Sequence, residues 1–297
     1  MAGNGTETAL EVLTACRKLE AWSDGTLKAA CRRGRLDRRE SAFAARLTYG
    51  VLQNAALLDF YLGQYCAQPV EKLEPFVRDV LRLGACQILL MDRVPDSAAC
   101  NEAVKLCKKH AFRLSGYVNG VLRTMLRERE RLVLPPVTDA ASLAVVCNVS
   151  DSLARLFVEQ FGLSRAEKLL SAFSERPRTA LCVNTLKETP AAVLARLGER
   201  PVTAGLYPEL LLLEESGRVT ELPGYQEGLF YFQDTAAYLC ARLSGAAPGD
   251  RVLDLCAAPG GKSFTCGVLM NNQGLIEARD ENAARLKLVQ EGAQRLG

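Results

Sequence analysis

Two places in the chain hold residues whose types and spacing could do chemistry together: the run Asp254-Leu255-Cys256-Ala257-Ala258-Pro259-Gly260-Gly261-Lys262, and Asp280 further on. Arg251–Leu255 reads as a short buried strand and Ser263–Met270 as a helix. Cys256–Lys262 are therefore expected at the carboxyl end of a strand and just before a helix, where backbone N–H groups and the positive helix end face a ligand crevice. Gly260 and Gly261 permit positive φ and close approach of a ligand, and Pro259 stiffens the preceding turn. Asp280 follows a second strand, Leu275–Ala278, where an acid can accept hydrogen bonds from ribose hydroxyls. Asp254, at the strand end, can orient the loop through backbone N–H groups or touch the ligand. Strand, glycine loop, helix, strand and acid describe a pocket for an adenosine-bearing cofactor. The same segment nearly matches the phosphate loop G-x-x-x-x-G-K-[ST], with Cys256 in place of the leading glycine, so a phosphate-loop nucleotidase stays open as a competing reading.

Other chemistry is scarce. The chain has 11 cysteines with no C-x-x-C pair, and its single histidine, His110, sits beside Lys108 and Lys109. No metal site is expected, and most cysteines read as small buried hydrophobes of a reducing compartment. His110 reads as a surface helix residue. Trp22 is expected to pack inside the protein.

The 297 residues carry 48% hydrophobic and 24% charged side chains, with a net charge of +3. Those are ordinary globular values, which exclude a disordered chain and predict two or three domains. No apolar run is long enough for a membrane span, and Met1–Glu7 lacks the plan of a signal peptide. A cytoplasmic, monomeric protein is expected.

From Thr6 to about Arg131 the apolar positions recur at helical steps and strand signals are absent. Ser41 can cap a helix carrying Phe43, Leu47, Val51, Ala55 and Leu58; Ser97 and Ser115 can start two more. Leu134–Asp139, with two prolines, reads as a linker. Helices around Leu153–Phe161 and Ala166–Phe173 follow. Thr179–Thr185, Leu210–Leu213 and Gly228–Phe232 read as strands, and Pro190–Leu197 as a helix. The order strand, loop, helix, strand, helix from Arg251 to Leu296 opens a doubly wound fold, whose third strand would be due after Gly297. The expected division is 1–135, an all-α bundle; 136–235, a small α+β middle domain; and 236–297, the N-terminal part of an α/β Rossmann-like domain.

Asp254–Lys262 resembles the cofactor motif of the RNA 5-methylcytosine methyltransferases, and Gly228-Leu229-Phe230-Tyr231-Phe232-Gln233-Asp234 resembles the segment leading into it. The helical half is similar to the NusB-like RNA-binding domain fused to the bacterial small-subunit rRNA members. Thr48–Leu52, Leu81–Gly84, Val94-Pro95, Asn101–Val104 and Val118–Arg123 carry that likeness. The resemblance implies methylation of cytosine C5 in 16S rRNA by S-adenosyl-L-methionine, with Cys256, Ala257, Ala258, Pro259, Gly260, Gly261 and Lys262 along the donor and Asp280 on its ribose. It also implies a cysteine adduct at C6. The family nucleophile lies in later motifs, so no catalytic residue is assigned here and the chain alone is expected to be inactive. Cys182 stands where the family usually carries an arginine, and Arg279 where it has a small or apolar residue.

Arg32, Arg33, Arg38 and Arg39 form one basic cluster, and a second spans Lys105–Arg131. Such clusters are footprints for polyanions, here ribosomal RNA, with Asn119 and Arg123 as further candidates. A solvated helix face explains the charges equally well. A non-catalytic RNA-binding or antitermination protein is the second alternative.

Overall fold

The computed structural model describes residues 4–173, 178–214 and 219–297. Met1–Gly3, part of the N-terminal stretch considered above, lie outside the described residues. The chain gathers into two compact units, 1–175 and 176–297.

The first unit is helical throughout its described residues. It contains α1 (Gly5–Leu19), α2 (Ser23–Arg33), α3 (Arg38–Gln53), α4 (Ala55–Gly63), α5 (Pro75–Leu90), α6 (Asp96–His110) and α7 (Ser115–Arg127). Their apolar stripes meet in one core that includes Leu47, Leu58, Val80, Leu83, Leu122 and Met125, all fully buried. Burying a leucine of this kind contributes about 1.5–3 kcal/mol, so the stripe, more than helix propensity, holds each helix. Two ion pairs brace the bundle. Arg17 donates to the buried Asp79 at 3.0 Å, and Arg82 grips Asp59 through two nitrogens.

Three expectations are corrected here. Ser41 does not cap a helix, because Asp37 accepts the Glu40 N–H at 2.7 Å and starts α3 four residues earlier. The single helix expected through Leu58 breaks at Asn54, whose side chain bonds back to the Gly50 carbonyl at 2.8 Å. Trp22 is 90% exposed: its backbone carbonyl accepts from Thr26 to open α2 while the indole stands in solvent.

A smaller helical cluster follows the prolines: α8 (Ala140–Cys147), α9 (Asp151–Phe161) and α10 (Leu163–Ala172). It closes around Leu143, Cys147, Ala154 and Leu170. Asn148, left-handed at the end of α8, joins it to the bundle. Its side-chain N–H groups reach the Gln53 carbonyl and Asn54 Oδ1, and its oxygen accepts from the Leu57 N–H.

The second unit opens with β1 (Thr179–Val183), α11 (Pro190–Leu197), β2 (Val202–Ala204), β3 (Leu210–Leu213) and β4 (Phe230–Phe232). They form an antiparallel sheet in the order β2-β3-β1-β4. The strand expected from Gly228 starts two residues later because Gly228, at φ 71°, closes a turn on Tyr225. Then come α12 (Thr235–Leu243), β5 (Arg251–Asp254), α13 (Gly261–Leu269), β6 (Leu275–Ala278) and α14 (Ala283–Leu296). β5 and β6 pair in parallel, with Val252 opposite Ile276 and Asp254 opposite Ala278. A parallel neighbour needs a crossover, and α13 supplies it. Leu253, Leu255 and Leu275 remain about half or more exposed on this two-stranded sheet.

Candidate functional site

The glycine loop leaves β5 at Asp254 and is tied at both ends. Asp254 accepts the Ser263 hydroxyl at 2.7 Å and the Cys256 N–H at 3.3 Å, so the strand end and the first turn of α13 share one carboxylate. Ala257 N–H reaches the Arg279 carbonyl at 2.9 Å, and Arg279 N–H returns to the Asp254 carbonyl at 2.8 Å. The loop thereby spans the carboxyl ends of both parallel strands, the usual ligand edge of an open α/β sheet.

Asp280 closes the other side. Its carboxylate accepts from Ala258 N–H and Asn282 N–H, each at 3.1 Å, and Arg285 reaches the Ala258 carbonyl at the same distance. The Asn282 N–H above all, with the Ala258 N–H and the Arg285 charge, holds the Asp280 carboxyl below the usual carboxylate range against the opposing effect of desolvation. The acid is thus placed at the strand end as expected, and two backbone donors already orient it.

Gly260 is the loop's sterically required residue. It sits at φ 115° before α13, and a Cβ there would fall 2.3 Å from the Phe264 ring. The same ring blocks Gly292 of α14, where a Cβ would fall 2.4 Å away. Phe264 is wedged between two glycines and meets Tyr231 edge-on at 5.8 Å. Gly261 is different: an added Cβ would make ordinary contact, 3.4 Å from Gln233. No side chain caps α13, so its first-turn N–H groups keep their capacity to bind. Cys256 and Lys262 are exposed, and Ala257 is buried beneath the loop. A cleft of about 350 Å³ beside the loop is lined by Pro259, Gly261, Phe264, Tyr231 and Arg295. An apolar cavity of about 200 Å³ lies behind the same ring, among Phe264, Val268, Ile276, Val289 and Leu296.

Several residues of the site escaped the sequence reading. Asn184 donates to the carbonyls of Gly228 and Leu296, and Lys187 to those of Glu227 and Arg295. Arg295 donates to the Tyr225 and Phe230 carbonyls while lying 4.0 Å over the Tyr225 ring. These polar clamps fasten the end of α14 to the antiparallel sheet, and no local pattern in the sequence marked them. Cys182, standing where an arginine was expected, is buried and donates to Tyr231 Oη at 3.1 Å. Arg279 is exposed and pairs with Glu277.

The RNA candidates lie in the first unit. Arg32, Arg33, Arg38 and Arg39 are all exposed, on either side of the turn between α2 and α3. Arg33 pairs with Glu11. Asn119 and Arg123 are bonded to each other along α7 at 2.8 Å. His110 ends α6, exposed, against Phe76. Among the described residues no group of His, Cys, Asp and Glu is arranged to hold a metal, and no single helix is long and apolar enough to cross a membrane.

Residues 5–127 match the NusB family and residues 243–297 match the family described as 16S rRNA methyltransferase RsmB/F. The chain is 32% identical over 296 residues to a probable ribosomal RNA small subunit methyltransferase B of Synechocystis, covering 98% of this chain. The chain belongs to the RsmB/F family. A Bacillus subtilis relative of the same description is 31% identical over 294 residues, and one from Escherichia coli O157:H7 is 30% identical over 264. The chain spans 66% of the length of the first two relatives and 60% of the third. The crystal structure of PH0851 shares the fold at a TM-score of 0.66 and 20% identity, covering 99% of this chain and 67% of that one. A NusB-like helical half followed by an α/β methyltransferase-like region is thereby the architecture of this RsmB/F member.

Proposed function

We propose that this chain holds S-adenosyl-L-methionine at Cys256–Lys262 and Asp280, and ribosomal RNA on its helical half, for methylation of cytosine C5 in small-subunit rRNA. The observation that carries the reading is the pair of acids at the ends of two parallel strands, Asp254 and Asp280, bracketing a loop that ends in an uncapped helix N-terminus. The residues suit that donor. Asp280 keeps acceptor capacity for a ribose diol, and the first turn of α13 offers N–H groups to a carboxylate. Bound there, the donor supplies an electrophilic methyl group. The protein's part is to orient it and exclude water.

Target chemistry at C5 needs a thiolate that adds to C6 of the base. Every cysteine shift resolved in this structure is upward, chiefly from burial, with Cys86 and Cys182 pushed up to about 12. An attacking thiolate needs the opposite shift, so we assign the nucleophile to none of these residues. In this reading 1–135 serves RNA binding, 136–235 is an α+β middle domain and 236–297 belongs to a Rossmann-like donor domain.

The test is calorimetric titration with S-adenosylhomocysteine and, separately, with ATP and magnesium. Binding of the first that is lost in Asp280→Ala supports the reading. Binding of ATP with magnesium alone refutes it in favour of a phosphate-loop nucleotidase.

A further inference from the structure

Gln233 follows β4 and is only 6% exposed, yet its Nε2 has no hydrogen-bond partner. A buried carboxamide donor left unmatched costs roughly 1–3 kcal/mol, so such atoms are rare in folded proteins and call for an acceptor. The other end of the same side chain is fixed. Its Oε1 accepts from Thr265 Oγ1, Thr265 lies 2.9 Å from Tyr231 Oη, and Cys182 Sγ donates to Tyr231 at 3.1 Å.

Each of these groups has one proton to give. Cys182 donates to Tyr231, and Thr265 has two acceptors in reach, Gln233 Oε1 at 2.5 Å and the Gly261 carbonyl at 3.0 Å; the shorter contact takes its proton, so Tyr231 must donate to Thr265. The chain then runs in one direction, from the sheet to Gln233 Oε1. Burial keeps the Cys182 thiol protonated, pushed up to about 12, and raises the Tyr231 hydroxyl further still, so the direction holds throughout the neutral range. Aligned donors of this kind polarise one another and set the amide's orientation. Oxygen faces Thr265, which leaves the amide nitrogen toward Gly261, where it lies 3.6 Å from the position a Cβ would take. Gly261 is the first residue of α13, whose N–H groups no side chain caps. A buried, pre-oriented side-chain donor and an uncapped helix N-terminus therefore lie together.

We propose that Gln233 is a binding residue for the methyl donor, donating from Nε2 to the carboxylate of its amino-acid moiety at the first turn of α13. This rests on the donor reading of the loop and extends it to a residue outside the glycine motif. Cys182, Tyr231 and Thr265 are then positioning residues that act through Gln233.

The experiment compares two probes on the full 297-residue chain. S-adenosylhomocysteine carries the amino-acid moiety; 5′-methylthioadenosine keeps the nucleoside and thioether without it. In Gln233→Met, which preserves shape and removes the donor, affinity for S-adenosylhomocysteine should fall roughly tenfold to hundredfold, the worth of a hydrogen bond to a charged group, while methylthioadenosine affinity stays unchanged. Equal losses for both probes, or no loss for either, would overturn the assignment while leaving the donor reading standing. If the unaltered chain binds neither probe, the donor reading itself fails and this inference with it. A second readout needs no variant: the Gln233 carboxamide ¹⁵N–¹H resonances should shift with S-adenosylhomocysteine and stay in place with methylthioadenosine, and the reverse or an absent shift refutes the contact.

Discussion

Gly260 and Gly261 stand side by side in the motif and do different work. Gly260 carries both a left-handed backbone and a ring in the place of its missing side chain, whereas Gly261 faces only ordinary contact. Gly260→Ala should therefore cost about 2–4 kcal/mol through strain and overpacking, and Gly261→Ala less than about 1 kcal/mol; melting midpoints of the two variants decide it. Asp280 gives a pH expectation. Its carboxyl is held below its ordinary value by the Asn282 and Ala258 amides, so its contribution is complete above the unfolded-state value and disappears as pH falls through the folded one. Affinity for S-adenosylhomocysteine should consequently be level from neutrality down to about pH 5 and drop only below that range. A titration midpoint near pH 6 would point to another group. At this scale the sequence showed the loop and the acid because their chemistry is local. The orphaned amide of Gln233 and the clamps at Asn184 and Arg295 depend on partners 32–112 residues away, a separation no local pattern records.

Element boundaries were legible where a period repeats and blurred where two polar residues compete to end it. α7, α11, β3 and β6 stand where periodicity put them. α3 is capped by Asp37 instead of Ser41 because both can accept a backbone N–H, and only the path of the chain chooses between them. Asp37→Ala should destabilise the protein by about 1 kcal/mol and Ser41→Ala by less than half as much, as read from denaturation midpoints. The break at Asn54 is hidden in sequence because apolar residues continue at helical steps through it: Val51 and Leu58 are both buried on the same core. β2 is three residues long and largely exposed, too short for an alternation to show. The helix α12 stands after Asp234, whose carboxylate accepts the Ala236 N–H at 2.8 Å, a cap that a boundary expected at residue 235 obscured.

Across the whole molecule, the two proposed roles fall in different units. The exposed arginines flanking the α2–α3 turn belong to the first, and the loop with its two acids to the second. If Arg32, Arg33, Arg38 and Arg39 contact phosphates, replacing all four by glutamine should weaken binding of single-stranded RNA and reduce the slope of log affinity against log salt by up to about 3, roughly 0.7 per contact. An unchanged slope would assign them to an ordinary solvated face. The second unit should bind S-adenosylhomocysteine equally well in that variant, since none of the four belongs to it.

Trp22 is the chain's one tryptophan, and its indole stands in water at the start of α2. Intrinsic fluorescence of the native protein should accordingly resemble that of free indole, red-shifted and readily quenched by iodide, and should change little on denaturation. Circular dichroism, which follows the helices, would register a transition that the emission misses. The same exposure makes Trp22 a ready optical reporter of whatever approaches that end of the bundle.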